Sequence, residues 1–242
     1  MYYENRCNAK AMRYTVEDFE INVFGNLDSE RWVIEPIGNW ETEKIQNQYE
    51  EINKLNKGID FCFLAVTIRN WNQDLSPWKE DAVFGNENFG DGAKNTLLFI
   101  TEKLISGFSK HNPCKNRKIY LCGYSLAGLF ALWSSYQTDL FYGIASASPS
   151  VWFHDWILYS ETHDIHTNYV YLSLGTKEEK TKNPVLSSVG DCIRKQEVIL
   201  KSKVNCTLDW NPGNHFVDSD IRMAKAVTWL LKNSNKKTSE AT

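Results

Sequence analysis

The spacing of apolar and polar positions changes from stretch to stretch along the chain, and the changes outline its elements. "FEINVFGN" (19–26) alternates apolar and polar residues, which predicts a half-exposed strand ending in a Gly-Asn turn. "RWVIEPIG" predicts a second strand, stopped by Pro36 and Gly38. Over about 42 to 56, Ile45, Tyr49, Ile52 and Leu55 share one stripe of a helix. "DFCFLAVTI" (60–68) is nearly all apolar, as expected of a central parallel strand covered on both faces. A long loop, "RNWNQDLSPWKEDAVFGNENFGDG", precedes a helix marked by Leu97, Ile100, Leu104 and Phe108. Next come a short apolar strand, Ile119 to Cys122, and a helix carrying Leu126, Leu129, Phe130 and Trp133. "YGIASASPSVW" (142–152) ends a strand in small residues, and "YVYLSLGT" (169–176) is another strand. A helix over about 184 to 202 has Val189, Ile193 and Leu200 on one face. "CTLDWNPG" (206–213) reads as the last strand, and "DSDIRMAKAVTWLLK" as a closing helix capped by Asp218 or Ser219. The polar "NSNKKTSEAT" (233–242) reads as a frayed tail.

Repeated strand-helix units predict a mainly parallel sheet with helices on both faces, joined by right-handed crossovers. With no repeat or linker visible, residues 1–242 read as one α/β domain with its core at about 19–232. The length of 242 residues, with 42% apolar and 24% charged residues, suits a single globular core. A net charge of −3 argues against a nucleic-acid partner, which would call for a basic face. No apolar run approaches the ~20 residues that span a membrane. The opening "MYYENRCNAKAMRYTVED" lacks the apolar segment of a secretory signal, so a cytoplasmic location is expected. The six cysteines (7, 62, 114, 122, 192, 206) form no C-x-x-C pair and are expected as free, largely buried thiols. Nine tryptophans and eleven tyrosines suit an aromatic-lined pocket and a well-packed core equally.

The chemistry concentrates in "KIYLCGYSLAGLFALW" (118–133). Ser125 falls between an apolar strand and an apolar helix, with almost no residues to make the turn. Such a turn forces its central residue to positive φ, and its neighbours must be small enough for strand and helix to approach. Gly123 and Ala127 meet that need. The layout is that of a G-x-S-x-G nucleophile elbow, which lifts a serine hydroxyl clear of a sheet. A serine needs a base, and the base needs an orienting group. His111 lies in a helix-to-strand connection, and His154, His163 and His166 lie in the insertion-like "FHDWILYSETHDIH". His215, in "NPGNHFVDS", follows the last strand, at the carboxyl edge where the elbow also opens. Glu178 is the first acid after the penultimate strand. Asp191, Asp209 and Asp218 compete with it, a solvated "TKEEKTK" loop is the plain alternative, and a two-residue Ser-His device stays open. The oxyanion of an acyl-transfer intermediate would be met by the amide of Leu126. A second donor would come from Ile37, Gly38 or Asn39 after the "RWVIEPIG" strand, with Gly38 preferred. Trp71, Leu75, Trp78 and Phe84 of the long loop are candidates for a substrate pocket, and Tyr124, beside the serine, is assigned to substrate binding as well. "HDIH" (163–166) lacks a further ligand set for zinc, and no G-x-G-x-x-G or phosphate loop follows a strand, so neither metal nor cofactor is expected.

In order, "GYSLAG", "ASASPSVWF", "SLGTKEE" and "GNHF" resemble the esterase branch of the α/β-hydrolases, which includes enterochelin esterases, S-formylglutathione hydrolase and feruloyl esterases. The resemblance covers about residues 31 to 232, with Ala127 where many members carry glycine. It implies the α/β-hydrolase fold in a compact version with reduced amino-terminal strands. It also implies a catalytic order Ser125, Glu178, His215 and a pocket wall at Trp152. The expected activity is hydrolysis of a small-molecule carboxylic ester through an acyl-enzyme. Acyl transfer or peptide hydrolysis with the same Ser-His pair, and a non-catalytic binding protein on the same scaffold, are the alternatives.

Overall fold

The computed structural model describes residues 11–234. The opening segment with Cys7 and the polar tail beyond residue 234 lie outside the described residues. Among the described residues, eight strands form one sheet in the order β1-β2-β4-β3-β5-β6-β7-β8. They are β1 Met12–Val16, β2 Phe19–Gly25, β3 Arg31–Gly38, β4 Cys62–Ile68, β5 Lys118–Tyr124, β6 Phe141–Ala147, β7 Tyr169–Gly175 and β8 Asn205–Asn211. β1 and β2 pair antiparallel, and the pairings from β4 through β3 to β8 are parallel. The mainly parallel sheet is therefore as expected.

Among the described residues the sheet begins earlier than expected, at Met12 rather than at residue 19, with β1 and β2 as an antiparallel pair ahead of the parallel strands. β1 is an edge strand with four exposed residues, and its existence depends on pairing with β2, from Met12 opposite Val23 to Val16 opposite Phe19. A strand with no buried face leaves no hydrophobic alternation to read. β2 departs in the other direction. Ile21, Asn22, Val23 and Phe24 are all buried, because β2 lies between β1 and β4 and is covered on both faces.

Helices cover the sheet on both sides. α1 (Ile45–Asn56) and α9 (Ser219–Asn233) pack on one face. There Ile45, Ile52, Met223, Val227 and Leu231 meet Val33, Ile37, Phe63, Ala65 and Cys122. The other face carries α5 (Leu126–Ser134), α8 (Val189–Lys201) and a helical run at 93–111. In that core Leu129, Phe130, Ile193 and Leu200 meet Trp32, Ile34, Leu64, Val66 and Leu121. Alternate residues of β3, β4 and β5 thus enter opposite cores, which is why these strands read as unbroken apolar runs. Each Val, Leu, Ile or Phe among them, fully buried, contributes roughly 1.5–3 kcal/mol.

Three helical expectations change in detail. The helix through Leu97 and Phe108 consists of α3 (Ala93–Leu98), a π-helical stretch (Phe99–Ile105) and α4 (Ser106–His111). The helix expected at 184–202 divides at Ser188 into α7 (Pro184–Ser187) and α8, with the Asn183 side chain capping α7. Asp218 precedes α9 in the left-handed region (φ 52°) and makes no side-chain cap bond. The long loop holds a short helix, α2 (Trp71–Leu75), and "HDWILYSETH" forms α6 (Trp156–Thr162). Among the described residues no helix is long and apolar enough to cross a membrane.

Glu35 stands out in the α1/α9 core. Its carboxyl accepts hydrogen bonds from the Gln48 amide and the Cys122 thiol, and burial pushes its pKa from 4.5 up to about 8. The native state therefore keeps this proton between those values, while the unfolded chain has already lost it. Stability contributed by this group is complete below about pH 4.5 and declines as the pH rises toward 8. Glu35→Gln is expected to unfold at a higher temperature than wild type at pH 8 and to lose that advantage near pH 4. Thermal unfolding followed across that range checks it. A gap that does not change with pH would mean that Glu35 does not titrate in this way.

Candidate active site

β5 runs to Tyr124 and α5 starts at Leu126, so Ser125 alone makes the turn. Its backbone has φ 57° and ψ −120°. That conformation costs a non-glycine residue roughly 1–3 kcal/mol. The turn is pinned on both sides: Ser125 N–H donates to the Ala147 carbonyl (3.0 Å), and the amides of Ser150 and Leu129 donate to the Ser125 carbonyl (both 3.1 Å). A Cβ at Gly123 would strike the backbone carbonyl of Ala127, so only glycine lets strand and helix approach this closely. Leu126 heads α5, where the first amides have no partner within the helix.

The segment after β8 brings His215 to the same edge. Its Nε2 lies 3.1 Å from Ser125 Oγ, and its Nδ1 lies 2.7 Å from Glu178 Oε2. An ionised carboxylate only accepts, so Nδ1 carries the proton and Nε2 is left to accept from the serine hydroxyl. The His215 side chain is one-third exposed, while that of Glu178 is 4% exposed. "TKEEKTK" is thus only partly a solvated loop. A 3-10 turn (Glu178–Lys180) starts just beyond β7 and turns its first acid inward, whereas Glu179 faces outward and pairs with Arg194 at 3.0 Å. The other acids weighed are engaged or placed elsewhere. Asp209 accepts from the Tyr171 hydroxyl, Asp191 pairs with Arg194, and Asp218 precedes α9.

Glu178 Oε1 accepts from Ser148 Oγ (2.7 Å), the Gly175 amide (2.7 Å) and Arg222 Nη1 (2.9 Å). Burial pushes the carboxyl pKa up, but the His215 contact and the bonds from Ser148 and Gly175 outweigh it, leaving it below the ordinary value. Ser148 and Arg222 are absent from the sequence reading. Ser148 lies within the "ASASPSVWF" motif, but as one small residue among several it was not singled out. Arg222 did carry a signal: it lies four and eight residues before the buried Ala226 and Leu230, on the apolar stripe of α9. A charged residue there must have a buried partner.

Two assigned roles fail on geometry. The Gly38 amide donates to Glu41 Oε2 at 2.8 Å, because the acid three residues on folds back over the start of a 3-10 turn (Asn39–Glu41). That amide is occupied and not aimed at an incoming oxyanion. Tyr124 lies beneath the histidine rather than against a substrate. It is buried, its hydroxyl donates to the His215 carbonyl (2.7 Å), and Arg222 donates to it (3.1 Å).

Trp71, half-buried, meets the exposed ring of Trp40 edge-on, with centroids 5.1 Å apart. Trp152 lies two residues past Ser150 and packs edge-on with Phe84 and Phe89, at 6.3 and 6.0 Å. Trp78 donates to the His154 carbonyl and so ties the long loop to the segment after β6. Leu75 is wholly buried in the core and lines no surface. His163 stacks on Tyr159 at 3.9 Å. Among the described residues no group of three or more His, Cys, Asp or Glu side chains is placed to hold a metal.

Sheet order, elbow and helix placement define the α/β-hydrolase fold. No protein family and no curated protein matches the chain in sequence. Solved structures do match in fold. An IroE-like serine hydrolase from Shewanella oneidensis superposes with a TM-score of 0.74 at 14% identity, over 93% of this chain and 81% of that one. The siderophore hydrolase EstA from Aspergillus nidulans gives 0.70 at 16% identity, over 97% of this chain and 99% of that one. The enterobactin and salmochelin hydrolase IroE gives 0.65 at 15%, over 94% and 95%. At these identities the likeness is one of fold.

The depressed Glu178 carboxyl contributes stability that is present above the ordinary carboxylate range and lost as the pH falls through its native value. Glu178→Gln leaves the Arg222 charge buried without its partner, a loss of about 3–5 kcal/mol in comparable sites. We expect it to lower the unfolding temperature at pH 7, with a gap that narrows as the pH falls below about 4.5. Thermal unfolding at pH 7 and pH 3.5 checks this. An equal gap at both would mean that the carboxyl is not held ionised.

Proposed function

We propose that the chain is a serine-dependent carboxylic-ester hydrolase working through an acyl-enzyme. The observation that carries this reading is the chain of contacts Ser125 Oγ, His215 Nε2, His215 Nδ1, Glu178, mounted on a strained elbow. Ser125 Oγ attacks the ester carbonyl carbon while its proton passes to His215 Nε2. Glu178 holds the imidazole tautomer and stabilises the imidazolium, and does not take the proton. The negative oxygen of the tetrahedral intermediate is met by the amide of Leu126. The second donor falls to Asn39, first residue of the 3-10 turn, whose amide has no earlier carbonyl of that turn to bond. One such donor is worth about 2.7–4 kcal/mol. Collapse of the intermediate breaks the bond to the alkoxide, which leaves as the alcohol with the proton from Nε2. Water then adds to the acyl carbon, giving its proton to Nε2. The acid departs as Ser125 recovers a proton, so the sum is ester plus water to acid plus alcohol.

Trp71 and Trp152, on opposite flanks of the elbow, are the side chains proposed to meet the substrate. Two fold neighbours are siderophore hydrolases and another is an enterobactin esterase, which supports ester chemistry on this scaffold.

A panel of short p-nitrophenyl and aryl esters should be turned over by wild type. Ser125→Ala and His215→Ala should each lower kcat by at least about 10³-fold while leaving the unfolding temperature within a few degrees. Glu178→Ala is expected to lose about 10²–10⁴-fold, because it removes the group that fixes the imidazole. Undiminished turnover in either of the first two variants would end its assigned role.

A further inference from the structure

Arg222 lies in the first turns of α9, buried to 1% exposure, and makes five hydrogen bonds to groups from four other segments. The two N–H groups of Nη1 are shared among Glu178 Oε1 (2.9 Å), Ser148 Oγ (3.1 Å) and the Tyr124 hydroxyl (3.1 Å). Nη2 donates to the carbonyls of Pro212 and Asn214 (both 2.9 Å), which belong to the segment carrying His215. One planar guanidinium therefore grips the acid with one nitrogen and the histidine segment with the other. Because Oε1 is filled by three donors, Oε2 is left for His215 Nδ1. The glycine at the end of β7 makes room for this. A Cβ at Gly175 would stand 2.9 Å from Arg222 Nη2, 2.8 Å from Glu178 Oε1 and 2.6 Å from the Gly213 carbonyl.

We propose that Arg222 is the positioning residue of the Glu178–His215 pair: its fork holds carboxylate and histidine segment in one register, and its charge sets the pH at which the pair becomes competent. This rests on the serine-hydrolase reading above. The groups facing the pair come from each neighbouring element. Tyr124 on β5 stays neutral, since burial pushes its phenol up to about 12. Ser148 after β6 is uncharged. Glu41, in the turn after β3, is the acid on that side, and burial raises its carboxyl pKa. Arg222 on α9 is the cation among these facing groups. Near a cation a carboxyl gives up its proton more readily. That extends the ionised form of Glu178 toward acid, so removing the charge moves the acid limb of activity upward. A lysine keeps the charge, but as a single point it cannot span the carboxylate and both carbonyls as a planar fork does.

The test follows the rate at which a fluorophosphonate labels Ser125, as a function of pH, in wild type, Arg222→Gln and Arg222→Lys. Labelling reads the nucleophile without requiring any ester. For Arg222→Gln we expect a fall of about 10–100-fold at pH 7 and an acid limb about one unit or more higher. For Arg222→Lys we expect the rate to fall about tenfold with the acid limb at its wild-type pH. An acid limb unmoved in Arg222→Gln, or moved equally in both variants, overturns the proposal, and so does an unchanged rate. If circular dichroism shows that Arg222→Gln does not fold, Arg222→Lys decides: a lowered rate with an unmoved limb supports the proposal, and any other result overturns it. Wild type that labels but hydrolyses no ester removes the ester reading and leaves this one standing. Wild type that does not label removes both.

Discussion

Glu178 is a carboxylate that the fold has taken out of water and then surrounded with donors. Left alone at 4% exposure it would bind a proton. It is kept ionised by the ring of His215, the hydroxyl of Ser148, the amide of Gly175 and the guanidinium of Arg222. Each of these comes from a different place in the chain. β7 has to stop at a glycine, the chain has to turn at once into a 3-10 turn, and α9 has to present an arginine from below. The arrangement of the site follows from satisfying this one buried charge.

The parallel sheet makes that convergence possible. β5, β6, β7 and β8 are neighbours in the sheet and in sequence, and all end at the same edge. Their following segments supply Ser125, Ser148, Glu178 and His215 in turn. Backbone bonds tie these segments to one another: Ser150 to Ser125, Ser148 to Ser173, and Thr176 and Lys177 to the carbonyls of Asn211 and Gly213. The strained φ of Ser125 is held by this lattice of amides, with the close approach of Gly123 and Ala127 on its other side.

The long loop takes part in a different way. Its aromatic residues pack in pairs, Trp71 with Trp40 on one flank and Phe84 and Phe89 with Trp152 on the other. Trp40 and Phe84 remain largely exposed. Both explanations of the tryptophan-rich composition therefore apply at once: Trp32 and Trp156 are wholly buried, while Trp40, Trp71 and Trp152 are at the surface or half-buried.

What could be read along the chain was whatever depends on near neighbours. The period of apolar residues marked β3, β4, β5, β7, β8, α1 and α9. The elbow was legible because strand, small residue, serine and helix lie within a few positions of one another. His215 and Glu178 were legible as the first suitable residues after two strands, since chain order maps onto one sheet edge in a parallel fold. What only the tertiary structure decided depends on long-range pairing and on competition for hydrogen bonds. β1 has no buried face and exists only beside β2. Gly38 carries an amide like any other until Glu41 takes it. Tyr124 and Arg222 face the back of the site rather than solvent because α9, almost a hundred residues after the elbow, packs where it does. Hydrophobic period is a property of a segment, but the partner of a buried polar group is a property of the whole packed chain.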